Sequence, residues 1–301
     1  MTGLSDLTPR YRSIIPDWEA FAATCVRPLP PICRVNTLRC EPSHVLERFA
    51  AQGIVAEPMP WDEALLRTEV PVGRTLEHWL GLIYVQEATQ TIPVLALDPQ
   101  PGECILDLCA APGGKTTQIA ARMANRGCLV ANEPNGRRQP SLLANINRLG
   151  VLVATVTSYR GDSFPSSGPY DRILVDAPCS AEGTLRKESS LRGGATSSSI
   201  ERLAALQRRL IVRAYDLLKP GGTLVYSTCT FAPEENEAVV AHLLGASDAR
   251  VVRPGLHDSF SPGLTTWNDE EYPEAIQDTV RIYPHQIDSG GGYLACLVRP
   301  R

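Results

Sequence analysis

The chain has 301 residues, 43% hydrophobic and 21% charged, an ordinary globular composition with length for one large α/β domain and a smaller appendage. No apolar run approaches the roughly 20 residues of a membrane span, and Met1–Arg12 lacks a signal-peptide core, so a cytoplasmic protein is expected. A net charge of −4 argues against a grip on long nucleic acid, though not against a local basic face. The nine cysteines are odd in number and contain no CxxC pair. That argues against a disulfide framework and a zinc site, so no metal is expected and most thiols read as small buried hydrophobes. A monomer is the expected state.

Residues 1–75 are rich in proline and predict a small α/β module, with a strand over Ile32–Leu38 and a helix over Ser43–Gln52 capped by Ser43. Glu77–Leu97 reads as a helix pair or bent helix, with Pro93 at the bend or in a first turn. From Glu103 the pattern alternates, and residues 76–301 read as one larger domain. Strands are expected at Cys104–Cys109, Cys128–Asn132, Val151–Thr157, Arg172–Asp176 and Gly222–Ser227. Helices are expected at Lys115–Met123, Leu142–Leu149 and Ile200–Leu218, the last with Leu203, Leu206, Leu210 and Leu217 on one buried face. Val280–Tyr283 and Tyr293–Val298 flank a glycine-rich turn and predict a terminal antiparallel hairpin. Such alternation implies an α/β fold with a mostly parallel sheet covered on both faces.

In such a sheet ligands gather at the carboxyl ends of the strands, near the reversal of strand order. The residues there are Cys109, Ala110, Ala111, Pro112, Gly113, Gly114 and Lys115, then Glu133, Asp162, Asp176–Ser180 and Thr228–Thr230. The glycine turn is not a dinucleotide fingerprint, because GxGxxG is absent. As a phosphate loop it is a near miss, since the first glycine of GxxxxGK[ST] would fall on Cys109. A nucleotide triphosphatase, or an inactive RNA-binding factor on the same fold, is the alternative from another class. S-adenosylmethionine suits the rim better. It needs backbone amides for a carboxylate and an acid for the ribose diol, a place Glu133 can fill.

Cys179 and Cys229 follow successive strands on that rim. Carbon 5 of cytosine is a poor nucleophile until a thiolate adds at carbon 6 and breaks the aromaticity. Two cysteines beside a methyl-donor site therefore suggest covalent catalysis. The pattern leaves open which of the two attacks.

The segments RVNTLR (34–39), YVQEATQTIPVLAL (84–97), DLCAAPGGKTTQIA (107–120), DRILVDAPCSAEGTLRK (171–187), LLKPGGTLVYSTCTFAPEENE (217–237) and RIYPHQIDSGGGYLACLVR (281–299) carry a resemblance that spans nearly the whole chain. They resemble the RNA cytosine-5 methyltransferase family, in particular its RsmF-like ribosomal RNA branch. The resemblance implies a Rossmann-like methyltransferase fold with a seven-stranded sheet, S-adenosylmethionine as cofactor, and RNA as partner. Small-subunit ribosomal RNA is expected ahead of transfer RNA. It assigns nucleophilic attack to Cys229, product release to Cys179, and contact with the target base to Asp176 and Lys115. Cys109–Lys115, Glu133, Arg138, Asp162 and Asp176 are implied as cofactor contacts. Arg34, Arg39, Arg186 and Lys187, with Arg192 nearby, are the expected RNA contacts, whereas Arg208 and Arg209 read as an exposed helix face. RsmF-like enzymes generally continue into C-terminal RNA-binding modules, whereas this sequence ends after the hairpin.

Overall fold

Alternation of side chains along one short strand joins the two parts of the chain. In the computed structural model, which describes residues 10–188, 191, 194–256 and 259–301, helix α1 (Trp18–Cys25) precedes a small antiparallel sheet. This sheet comprises β1 (Ile32–Val35), β2 (Ala56–Met59), β3 (Asp62–Thr68) and β4 (Ile83–Val85), in the order β2-β3-β1-β4. Central β1 sends Cys33 and Val35 to Val45 and Phe49 of helix α2 (Pro42–Ala51). Its alternate residue Ile32 packs on Ile92, Val280 and Ile282 of the larger part. Helix α2 starts at Pro42 with Glu41 as cap, so Ser43 is not the cap. The helix pair expected over 77–97 is replaced by a short helix α3 (Leu76–Trp79), then β4, then helix α4 (Ile92–Leu97) with Pro93 in its first turn. Ile83 and its neighbours become a strand because they pair with β1, carrying the small sheet past residue 75.

Five parallel strands follow: β5 (Cys104–Asp107), β6 (Cys128–Asn132), β7 (Ala154–Thr157), β8 (Tyr170–Asp176) and β9 (Leu218–Thr228). Between them run α5 (Gly114–Arg122), α6 (Gln139–Leu149) and α7 (Ser197–Asp216), and α8 (Glu237–Ala246) follows. The edge beyond β9 is completed by β10 (Val280–Ile282) and β11 (Gly292–Val298), giving the order β10-β11-β9-β8-β5-β6-β7. The last two run antiparallel, as the hairpin pattern predicts. Two-residue strands at Arg250–Val251 and Ser261–Pro262 extend the same sheet. Strand order reverses between β5 and β8, and the carboxyl ends of those two strands frame the site. One sheet face is covered by α7 and α8, through Leu210, Ile211, Val239 and Val240. The other is covered by α4, α5 and α6, through Val94, Ile119 and Leu142. On α7 the buried face runs through Ile200, Ala204, Gln207, Leu210 and Ala214, whereas Leu203 and Leu206 are half-buried. No helix among the described residues is long and apolar enough to cross a membrane.

The start of α8 is tied to β10 by an ion pair in the dry interior. Arg281 Nε donates to Glu237 Oε1 at 2.6 Å and its terminal nitrogen to Oε2 at 2.5 Å, with both side chains at most 2% exposed. Removing one partner strands a charge away from water. Arg281→Ala should therefore lose about 3–5 kcal/mol of unfolding free energy in urea denaturation. A loss below about 1 kcal/mol would show that the pair is not what joins these elements.

Candidate active site

The turn after β5 brings backbone close to a cleft of about 280 Å³. Gly113 sits at φ +104°, a left-handed turn that favours glycine, and a Cβ there would crowd the Leu142 side chain of α6 at 3.0 Å. Helix α5 begins immediately afterwards and offers its unpaired N-terminal amides. Asp107, the last residue of β5, lines the cleft. Its Oδ2 accepts from Thr116 Oγ1 at 2.7 Å, and its Oδ1 has no protein partner among the described residues. Burial pushes this carboxyl up to about 7, against the opposing hydrogen bond from Thr116. Asp107 lies outside the set expected from sequence; its only signal there is an acid closing an apolar strand just before a glycine turn.

Lys115, 8% exposed, reaches from α5 to Asp176 at the end of β8, with Nζ to Oδ2 at 2.8 Å. It also donates to Gln90 Oε1 at 2.5 Å. Burial works against its charge, but Asp176 overrides burial and holds the ammonium above the ordinary lysine range. The Asp176 Oδ1 accepts from Ser227 Oγ at 2.9 Å, a bond set by the register in which Asp176 of β8 lies opposite Ser227 of β9. That register carries both cysteines to one place. Cys179 Sγ and Cys229 Sγ are 3.2 Å apart as free thiols, and the Cys229 amide donates to Cys179 Sγ at 3.3 Å. The hydrogen bond to Cys229, with burial, holds the Cys179 thiol well above its ordinary range.

Behind the cysteines lies a buried polar frame that sequence reasoning missed. Gln207 of α7 donates to Pro178 O and Glu235 Oε2, both at 2.8 Å, and Glu235 also accepts from the Ser180 amide at 3.1 Å. Glu182 accepts from Tyr11 at 2.6 Å and Thr230 at 3.1 Å, and Ser180 and Thr230 share a bond of 2.6 Å. The frame holds the two cysteine loops against each other. Its members read as surface polars in sequence, since only the packing of α1 and α7 over the loops buries them.

A family model described as "16S rRNA methyltransferase RsmB/F" matches residues 94–298, a span that contains the whole cysteine and lysine constellation. The chain belongs to this family. It is 40% identical over 300 residues to the tRNA (cytosine(49)-C(5))-methyltransferase of Pyrococcus abyssi, covering 98% of this chain and 96% of that protein. It is 39% identical over 302 residues to the Ribosomal RNA small subunit methyltransferase F of Vibrio campbellii, covering 95% of this chain but 61% of that protein. A solved methyltransferase homolog from Pyrococcus horikoshii superposes with a TM-score of 0.87 at 32% identity, over 97% of this chain and 94% of that one. The Rossmann-like methyltransferase fold expected from the motifs is the one observed.

Within this family member the remaining expected residues separate. Glu133, 2% exposed, accepts from the Asn135 amide at 2.8 Å and pairs with Arg138 at 3.1 Å. Arg138 in turn donates to Ala111 O at 2.5 Å, linking the end of β6 to the glycine turn. Asp162 pairs with Arg160 at 2.9 Å and Arg209 at 3.1 Å, and these arginines, Arg160 foremost, hold it below the usual carboxylate range. Neither Glu133 nor Asp162 lines the cleft with Lys115. Lys187 is exposed at the cleft mouth, and Arg39 is exposed with one nitrogen on Arg148 O at 3.1 Å. Arg186 instead turns inward. It donates to Ser289 O at 2.9 Å, Pro28 O at 2.7 Å and Asp288 at 2.9 Å. Arg34 is 3% exposed and bonds Gln86 and Thr117 at 2.9 Å, so its guanidinium fastens the small sheet to α5. Both arginines face protein acceptors because backbone carbonyls and amide side chains converge on them, which spacing in sequence does not reveal. Arg192 lies outside the described residues.

Asp107 also makes stability depend on pH. Its ordinary value is 3.8 and its folded value about 7. In that window the folded state holds a proton that the unfolded chain has released. The stabilisation is full below about pH 4 and lost as pH rises through about 7. Asp107→Asn cannot lose it, so the variant should gain on the wild type between about pH 5 and 8 in denaturant titrations. Parallel stability curves over that range would contradict the burial argument.

Proposed function

We propose that this cleft methylates carbon 5 of cytosine in RNA, with Cys229 as nucleophile and S-adenosylmethionine as methyl donor. The observation that carries the reading is the pair of free thiols 3.2 Å apart beside the Lys115–Asp176 ion pair, at the rim where strand order reverses. The cofactor fits the residues present. The α5 amides suit its carboxylate and the unpartnered Oδ1 of Asp107 suits its ammonium. Glu133 lies outside the cleft but is joined through Arg138 to Ala111 on its wall, and it is the acid we assign to the ribose diol. When bound it supplies an electrophilic sulfonium methyl group.

The chain's own groups account for the remaining chemistry. Lys115 and Cys229 line the same cleft, and the Cys179 thiol stands 3.2 Å from the Cys229 sulfur, where it can donate to it. The Cys229 thiolate adds to carbon 6 of the base, and the displaced π electrons make carbon 5 nucleophilic. Asp176 and Lys115 stand where they can meet the ring nitrogen and exocyclic groups. Once carbon 5 carries the methyl group, its proton passes to water or another base at the cleft mouth, which restores the double bond and expels the Cys229 thiolate. Cys179 is positioned to assist that release. Lys187 at the cleft mouth can meet a phosphate beside the flipped base.

Small-subunit ribosomal RNA is the substrate supported by the family description and by the RsmF relatives. Transfer RNA is supported by the alignment with the Pyrococcus abyssi enzyme, which covers both chains almost end to end. Bisulfite sequencing of total RNA from cells with and without the gene distinguishes them. A protected cytosine present only with the gene identifies the target, and no difference would contradict the assignment. In a purified assay, Cys229→Ala should abolish methylation, whereas Cys179→Ala should accumulate a protein–RNA adduct that survives denaturing electrophoresis. Adduct formation by Cys229→Ala would reverse the two roles.

A further inference from the structure

Addition of a thiolate to carbon 6 does not by itself distinguish cytosine from uracil, because both rings accept the attack. Discrimination needs a group that reads position 4, where cytosine presents an amino donor and uracil a carbonyl acceptor. On the reading proposed above, Lys115 is a donor and would suit either carbonyl. Asp176 accepts one donor on each oxygen, from Lys115 and Ser227, and is held by both. A second carboxylate in the cleft, without a charged donor bonded to it, would add selectivity at position 4.

Glu87 meets that description. It follows β4 in the YVQEAT segment and precedes the turn whose Gln90 holds the Lys115 ammonium at 2.5 Å. It lines the same cleft as Cys229, Lys115 and Asp176. Its carboxylate occupies a notch that exists only because residue 290 is glycine: a Cβ there would lie 1.7 Å from Glu87 Oε1 and 3.1 Å from Gly183 O. Gly183 is in turn bonded to the nucleophile's loop, its amide donating to Cys229 O at 2.8 Å, while Gly291 N donates to Gly183 O at 2.8 Å. The notch therefore fixes Glu87 one backbone step from the cysteine loop. The side chain has little of its own to bond: the Ser289 hydroxyl stands 3.5 Å away, and the Gly290 amide is the other donor. Burial pushes this carboxyl up, with the Gly290 amide, Lys187 and Lys115 opposing the shift. An amino group arriving from the base would relieve a desolvated acceptor.

We propose that Glu87 is the specificity-determining residue for the target base, accepting a hydrogen bond from the 4-amino group of cytosine and rejecting the 4-carbonyl of uracil. This inference rests on the functional reading above.

The test uses the full chain and two transcripts of the RNA mapped by bisulfite sequencing, identical except for cytosine or uridine at the target position. Methyl transfer to each is measured as kcat/KM, and S-adenosylmethionine affinity by titration calorimetry. Glu87→Gln keeps the shape but adds an amide donor. It should lower kcat/KM on cytosine by about 10- to 100-fold and raise it on uridine, with cofactor affinity within about twofold of wild type. Glu87→Ala should lower the cytosine rate similarly without the gain on uridine, which separates lost recognition from altered recognition. An unchanged cytosine-to-uridine ratio in both variants would overturn the inference while leaving the functional reading intact. So would a loss of cofactor affinity that accounts for the rate defect. A wild-type chain that methylates neither transcript would overturn the functional reading and this inference with it.

Discussion

The register between β8 and β9 is the constraint on which the site depends. Opposing Asp176 to Ser227 fixes where each strand ends, and the two loops that follow must then diverge from one point on the rim. Cys179 is three residues beyond one strand end and Cys229 one residue beyond the other. Their sulfurs meet at 3.2 Å because the strands are parallel and adjacent. A parallel strand keeps its side-chain period of two, so a slip of one residue would turn Asp176 away from Lys115 and separate the thiols. The chemistry proposed for this family member needs a cation, a carboxylate and two sulfurs within a few ångströms, and one ladder of backbone hydrogen bonds positions three of the four.

The fourth, Lys115, comes from the opposite side of the strand-order reversal, at the start of α5. Its burial means that its charge acts through a medium poorer in water than the surface, where an ammonium has a longer reach. The polar frame of Gln207, Glu235 and Glu182 serves the same end from behind, since buried acceptors stay in place only where donors meet them. One acceptor each on Glu235 and Gln207 lacks a partner among the described residues, while the other atoms of both side chains bond the loop that carries Cys179. Arg34 binds the small sheet to α5, so the N-terminal module is joined to the wall of the site itself.

Much of this was legible in the sequence where the physics is local. Cys128–Asn132 is the strand its apolar run predicts, and the rim residues follow from strand ends alone. The segment over 77–97 misled because Leu82–Val85 is as apolar as a helix stripe, and only pairing with β1 makes it a strand. Arg34 was an expected RNA contact because its segment resembles the family's RNA-facing region, and Arg186 because it directly follows the Pro178-Cys179 motif. Their acceptors come from residues about 50 to 160 positions away, a distance no local pattern reports. Asp107 and Glu87 were hidden for a related reason: an acid at a strand end reads as a boundary until the opposing wall is known to be dry.

The proposed chemistry turns on which sulfur bonds to the base. Wild-type protein incubated with S-adenosylmethionine and RNA carrying 5-fluorocytidine retains the adduct, because fluorine at carbon 5 cannot leave as a proton does. Proteolysis and tandem mass spectrometry then locate the modified residue. The nucleotide is expected on the peptide containing Cys229, with Cys179 unmodified. A nucleotide on Cys179, or no covalent product with an RNA that is methylated in its unfluorinated form, would contradict the account.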